Sequence, residues 1–375
     1  MNIHYSSRFS DLNPSPRLLL GPGPSMVHPR VLRALATPPV GHLDPEFITI
    51  MNEIQELLRF VFQTANRLTL PISGTGSAGM EAALCNFIEP GDPVLICVNG
   101  YFGERMVDMA TRYNAEVHRI DAPWGTIFTA RQIEEALRAH SVKLVAIVHA
   151  ETSTGVLQPL EEIAEVTHRY GALLLVDAVT SLGGLPVEVD RIGIDICYSG
   201  SQKCLGCPPG LAPITVSPRA EEVLRTRKTR VANWYLDLTM VQKYWGNDRT
   251  YHHTAPINMN YALREGLRLI EEEGLQERFA RHRRNAQMLW DGLAELGLIL
   301  HVPLDYRLPS LTTVRVPDGV DEAAVRRRLL DEYNIEIAGG LGVLRGKIWR
   351  IGLMGHSSRP ENVMALLGAL ERILG

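Results

Sequence analysis

A chain of 375 residues with 38 Lys+Arg against 42 Asp+Glu carries a formal net charge of −4, and 45% of it is hydrophobic. That length points to about two domains and to a core large enough to fold without disulfide or metal staples. The mild acidity argues against a broad nucleic-acid or anionic-membrane footprint and for small-molecule partners, and no apolar run is long enough to span a membrane.

Residues 1–17 are polar, contain Asp11, Pro14 and Pro16, and lack the apolar core of a secretory signal, so they read as an arm. From Arg67 to Val216, short apolar and β-branched runs alternate with amphipathic ones. Strands are predicted over Leu68–Ile72, Val94–Val98, Glu116–Ile120, Leu144–Val148, Leu173–Val176, Ile194–Tyr198 and Leu211–Val216. Helices are predicted between them over Met80–Phe87, Glu104–Tyr113, Ala130–Ala139 and Leu160–Tyr170. This alternation builds an α/β domain around a mostly parallel, seven-stranded sheet covered by helices on both faces. Two long helical stretches follow, Tyr261–Glu273 and Leu275–Leu296, then a strand at Leu311–Val316, a helix at Asp321–Tyr333, a strand at Ile348–Leu353 and a last helix from Pro360. A boundary at Glu273–Gly274 divides a large α/β domain, residues 18–273, from a smaller α+β domain, residues 274–375. The odd count of five cysteines and a C-terminus, Arg372-Ile373-Leu374-Gly375, that is no peroxisomal or retention address lead us to expect a reducing, cytoplasmic setting.

Ligands of open parallel sheets sit at the carboxyl ends of the strands. At one such junction lies Ser73-Gly74-Thr75-Gly76-Ser77-Ala78-Gly79, a glycine-rich turn that opens a helix and offers free N–H groups to a phosphate. A dinucleotide site would place an acid about 20 residues on, yet Asn99 stands there, which disfavours an NAD-dependent oxidoreductase. At a second junction Asp177 ends an apolar strand, where a carboxylate calls for a cationic partner, a cap or a metal. At a third, Lys203 follows the next strand in Ser199-Gly200-Ser201-Gln202-Lys203. An amine nucleophile, an acid to pair a pyridinium and a phosphate cradle are the parts a pyridoxal phosphate site needs. Cys204 and Cys207 form a single C-x-x-C with no second pair at zinc spacing, so they read as packed thiols and no metal is expected. His252 and His253, if on a strand, would point to opposite faces and share no metal.

These motifs, with Leu20-Gly21-Pro22-Gly23-Pro24, Glu151-Thr152-Ser153-Thr154-Gly155, Asp177-Ala178-Val179-Thr180-Ser181, Trp234-Tyr235-Leu236-Asp237, Tyr251-His252-His253-Thr254 and Arg350-Ile351-Gly352, give a chain that resembles the fold-type I pyridoxal-phosphate enzymes of aminotransferase class V. Within that class it is most similar to the alanine-glyoxylate and serine-pyruvate aminotransferases, from about Leu18 to the C-terminus. The resemblance implies that Lys203 holds the cofactor covalently and shuttles the proton, while Asp177 keeps its ring nitrogen protonated. It further implies Val179 and Phe102 on the ring faces, Thr152 near the ring's 3′-oxygen, and Thr75, Gly76, Ser77 and Gln202 around the phosphate. Tyr251 and Thr254 would reach the phosphate of a neighbouring subunit, making a homodimer with shared sites, and Arg350, with Gly23, would bind the substrate. Some relatives carry His in place of Ser77 and Trp in place of Phe102.

The implied activity moves an amino group from alanine or serine to glyoxylate or pyruvate through the cofactor's pyridoxamine form. Serine-glyoxylate or phosphonate transamination and cysteine desulfuration are the alternatives on the same cofactor. No second arginine in the motifs offers itself to a distal carboxylate, so aspartate and glutamate are expected to be poor donors.

Overall fold

All seven apolar runs expected between Arg67 and Val216 become strands of one sheet, in a computed structural model that describes residues 11–375. In chain order they are β1 (Leu68–Ser73), β2 (Pro93–Val98), β3 (Glu116–Asp121), β4 (Leu144–Val148), β5 (Leu173–Asp177), β6 (Ile196–Tyr198) and β7 (Leu211–Val216). Their order across the sheet is β1-β7-β6-β5-β4-β2-β3. β7 runs antiparallel to both of its neighbours, and every other pairing is parallel. Every residue of β4 and β5 is buried, which is what helices on both faces of a parallel sheet impose. β3 closes one edge, and its Glu116, Arg119 and Asp121 keep that edge charged against further strand pairing.

The polar arm divides. Residues 1–10 lie outside the described residues, and residues 11–16 are exposed chain without regular structure. Leu18–Leu19 then pairs in parallel with Ile335–Glu336, and the fully buried Leu20 joins an apolar cluster otherwise drawn from Leu289 to Leu370. Residues 18–20 therefore pack with the C-terminal part of the chain. Gly274, at φ 80°, closes the helix Ile257–Glu273 and opens Leu275–Glu295, a turn that a side chain would strain. Beyond it β8 (Leu311–Arg315), β9 (Ala338–Gly339) and β10 (Ile348–Gly352) form an antiparallel sheet in the order β8-β10-β9, with helices Glu322–Tyr333 and Pro360–Leu374.

The structure adds helices at Pro29–Leu35, Pro45–Phe62, Pro218–Arg225 and Leu238–Trp245, which the βαβ pattern does not contain. The longest has a plain local cause. Asp44 accepts the N–H of Glu46, Pro45 takes the first helical position, and Phe47, Met51, Ile54, Leu58, Val61 and Phe62 recur on one buried face. No helix among the described residues is long and apolar enough to cross a membrane.

Candidate active site

Strand register sets the floor of the site. Val148 pairs with Asp177 and Asp177 with Tyr198, so the carboxyl ends of β4, β5 and β6 lie side by side. β1 is antiparallel to β7, and β7 to β6, so β1 runs with the parallel set and delivers Ser73 to the same edge. The glycine-rich turn therefore lies at the same sheet edge as Asp177. It is no dinucleotide fold, because β1 is an edge strand paired only with antiparallel β7 rather than the centre of a parallel βαβ unit.

Asp177 is buried at the end of β5. Its Oδ1 accepts the N–H of Val179 at 2.8 Å and its Oδ2 the hydroxyl of Tyr198 at 2.7 Å. Burial outweighs these bonds and the charge of Lys203, pushing the carboxyl up to about 6. Its direct partners are thus a backbone amide and a phenol, not a cation. Lys203, also buried, donates its Nζ to the carbonyl of Pro22. Burial and then the charge of Arg350 bring its ammonium down to about 8. Gly23 lies directly against this amine: a Cβ there would come within 2.6 Å of Nζ, so only glycine leaves the lysine room. Ser25 ties the same segment down, its N–H donating to the Gln202 carbonyl at 2.9 Å and its hydroxyl to the Lys203 carbonyl at 2.8 Å.

The helix Gly76–Phe87 opens beside this pair. Thr75 is its N-cap residue but makes no side-chain cap, which leaves first-turn N–H groups open to an anion. A Cβ on Gly76 would touch Val179 at 3.4 Å and Gly200 at 3.7 Å, and one on Gly200 would meet the Gln202 amide at 2.9 Å. Gly76, Val179 and Gln202 are therefore brought together. The side-chain oxygen of Gln202 is buried and has no partner among the described residues, and an amide flip would turn its NH2 toward the turn as a phosphate donor. Ser77 accepts a hydrogen bond from Arg105 at 2.9 Å, and that guanidinium lies 5.0 Å over the ring of Phe102. Thr152 joins Thr180 hydroxyl to hydroxyl at 2.5 Å, and its carbonyl accepts from Arg350 at 3.4 Å.

Arg350, in β10, also donates Nε to the Gly339 carbonyl at 2.7 Å. Burial lowers its pKa to about 10, with the charge of Glu151 acting against that fall. A buried guanidinium whose partners among the described residues are carbonyls is suited to receive a carboxylate. Tyr251 and Thr254 are not brought into this constellation. Both are exposed in the single chain, although His253 between them meets Ser73 at 2.7 Å. The premise about the histidine pair also fails: residues 252 and 253 are in irregular chain, and their Nδ1 atoms face each other at 2.8 Å.

Reasoning from motifs misses Arg105, Tyr198, Glu151 and Ser153 as site groups. The register of Tyr198 with Asp177 exists only in the sheet, whereas Arg105 lies one helical turn beyond Phe102 and was within reach of helical spacing. Arg105 is a second arginine near the site, but its guanidinium is engaged by Ser77 and the Phe102 ring. All five cysteines are buried free thiols. Cys204 donates to the Thr180 carbonyl and Cys207 to that of Ala262, and burial pushes them to about 11 and 12, so neither is a ready nucleophile.

The donor set fits pyridoxal phosphate, having an uncapped helix start and a spare amide for the phosphate, a buried carboxylate without a cation for the ring nitrogen, and a neutralisable amine. The Aminotransferase class-V family model matches residues 19–362. The chain is 44% identical to the (S)-ureidoglycine–glyoxylate transaminase of Bacillus subtilis, over 96% of this chain and 90% of that protein. It is 45% identical to the alanine–glyoxylate aminotransferase of Rattus norvegicus, over 96% and 87%. The crystal structure of an alanine–glyoxylate aminotransferase from Nostoc sp. superposes with a TM-score of 0.97 at 56% identity, each chain covered in full. Enzymes of this class depend in general on pyridoxal phosphate. The chain thus belongs to aminotransferase class V and is a transaminase, moving an amino group between amino acids and oxo acids.

Proposed function

We propose that this transaminase binds pyridoxal phosphate and takes the amino group of alanine or serine to glyoxylate or pyruvate. The observation that carries the reading is the buried Arg350, bonded only to carbonyls among the described residues and close enough to Lys203 for its charge to depress the amine. When bound, the cofactor supplies an electrophilic carbonyl carbon and a protonated ring that draws electrons from the substrate's α-carbon. Thr75, Gly76, Ser77 and Gln202 hold its phosphate, and Asp177 keeps the proton on its ring nitrogen. Val179 and Phe102 enclose the ring, and Thr152 orients its 3′-oxygen. Arg350 grips the substrate carboxylate through two parallel hydrogen bonds, and Lys203 carries the proton to and from the α-carbon. The names of the rat and Nostoc relatives support glyoxylate as acceptor and alanine as donor.

The test is a donor and acceptor panel that includes aspartate, glutamate and ureidoglycine. Alanine or serine with glyoxylate is expected to give the highest kcat/KM, and Arg350→Lys, which keeps the charge but loses the fork, is expected to lower it by about tenfold or more. If glutamate with 2-oxoglutarate outruns alanine with glyoxylate, or if Arg350→Lys is unimpaired, the substrate reading is wrong.

We also propose a homodimer with shared sites. Trp234, Tyr235 and Tyr251 are exposed, at 59%, 42% and 56%, and such a cluster of large aromatic side chains favours a partner surface. Tyr251 and Thr254 then serve the phosphate of the other subunit. Mixing inactive Lys203→Ala protein with Tyr251→Phe/Thr254→Ala protein is expected to raise activity above the mean of the two, since one hybrid site is intact. A fully active monomer in sedimentation would exclude the arrangement.

A further inference from the structure

Glu151 is fully buried beside the site and has no part in the chemistry assigned above. Its Oε1 accepts the N–H and the hydroxyl of Ser153, at 3.0 and 2.6 Å, and its Oε2 accepts the N–H of Phe102 at 3.2 Å. The Ser153 hydroxyl in turn accepts the N–H of Tyr101 at 2.9 Å. Those two amides open the helix Tyr101–Arg112, whose N-cap is Gly100 and has no side chain to offer them. First-turn N–H groups have no partner within their own helix, so a carboxyl group and a hydroxyl about 50 residues along the chain supply an external cap; burial pushes the Glu151 carboxyl up to about 7, while these hydrogen bonds and the helix dipole favour its charged form. The fit is close: a Cβ on Gly100 would stand 2.3 Å from Cγ and Cδ of Glu151.

What this helix carries gives the cap its consequence. Phe102 is in its first turn, and Arg105, one turn on, both covers the Phe102 ring and reaches Ser77 in the phosphate turn. Any shift of the helix start moves the ring wall and the cradle together. We infer that Glu151 is a positioning residue of this transaminase, which acts through Ser153 and the opening amides of the helix to set Phe102 and Arg105 against the cofactor. The inference rests on the pyridoxal phosphate reading above.

Glu151→Gln tests it. The substitution keeps volume but turns an NH2 toward one of the donors that the carboxylate now satisfies. With pyridoxal phosphate saturating, kcat is expected to fall about tenfold or more while KM for the amino donor moves by less than about threefold. The visible circular dichroism of the bound cofactor should lose a large part of its amplitude, a signal that a role in stability alone would leave unchanged. In a double-mutant cycle with Phe102→Leu, the combined loss should barely exceed the larger single loss, because both act on one wall. Ser153→Ala, a gentler change, should move the same readouts in the same direction and carries the test if Glu151→Gln does not fold. Wild-type dichroism with kcat within twofold, or losses that multiply in the double variant, would overturn the inference. If the wild-type protein itself gains no visible band with pyridoxal phosphate, the cofactor reading fails first and this inference falls with it.

Discussion

Replacing Lys203 by Ala is expected to abolish the visible absorbance that the wild-type protein gains on adding pyridoxal phosphate, and to cut transamination by about four orders of magnitude or more. The lysine is assigned two tasks, holding the cofactor and moving the α-proton. Burial, aided by Arg350, brings its pKa from 10.5 down to about 8, which makes the amine a nucleophile near neutral pH. The rate at which the band appears after mixing cofactor-free protein with pyridoxal phosphate should therefore rise with pH through about 8 and level off above it. A rise centred near 10.5 would mean that the amine is not held as the structure describes. Linkage adds a consequence for the cofactor-free protein. Between about 8 and 10.5 the unfolded chain binds this proton and the folded chain does not, so the lysine's contribution to stability grows as pH rises through that window. A Lys203→Ala variant that transaminates normally would remove the residue from the mechanism.

Asp177→Asn should keep part of the cofactor affinity and lose most of the turnover. Asparagine can still accept the Val179 N–H, and Tyr198 can reorient, so the fold of the β5 end survives. What disappears is the charge that keeps a proton on the ring nitrogen, and with it the ring's capacity to stabilise negative charge at the α-carbon. Each tenfold loss corresponds to about 1.4 kcal/mol of transition-state stabilisation, and a loss of about 10²–10⁴-fold is expected, read from single-turnover rates with the visible spectrum as the check on occupancy. The pH dependence has a definite sign. Burial holds this carboxyl at about 6 in the cofactor-free chain, so cofactor affinity should weaken as pH falls through that value and the acid takes its own proton. Turnover near wild type in Asp177→Asn would sink the assignment.

Local pattern made much of this molecule legible. Short apolar and β-branched runs set between amphipathic segments located the seven sheet strands, because an apolar run between turn residues has few ways to be buried. Asp177, Lys203 and the Ser73–Gly79 turn could be singled out because parallel strands direct their carboxyl ends toward ligands, a rule that needs only strand ends and not their neighbours. The family resemblance then supplied Phe102, Thr152, Val179, Gln202 and Arg350, residues that spacing alone left without roles.

Tertiary structure decided what joins distant segments. The antiparallel seat of β7, the register that sets Tyr198 on Asp177, and the packing of Leu20 with the C-terminal cluster depend on which strand or helix becomes a neighbour. Periodicity reports a face, not the element that will cover it. The same limit hid Glu151: a carboxylate that caps a helix about 50 residues away owes its meaning to burial beside particular partners. Burial also set the protonation of the site, since nothing in the order of residues says that Asp177 lies at about 6 or Lys203 at about 8. Desolvation is a property of the packed molecule, created only when distant segments bury these side chains together.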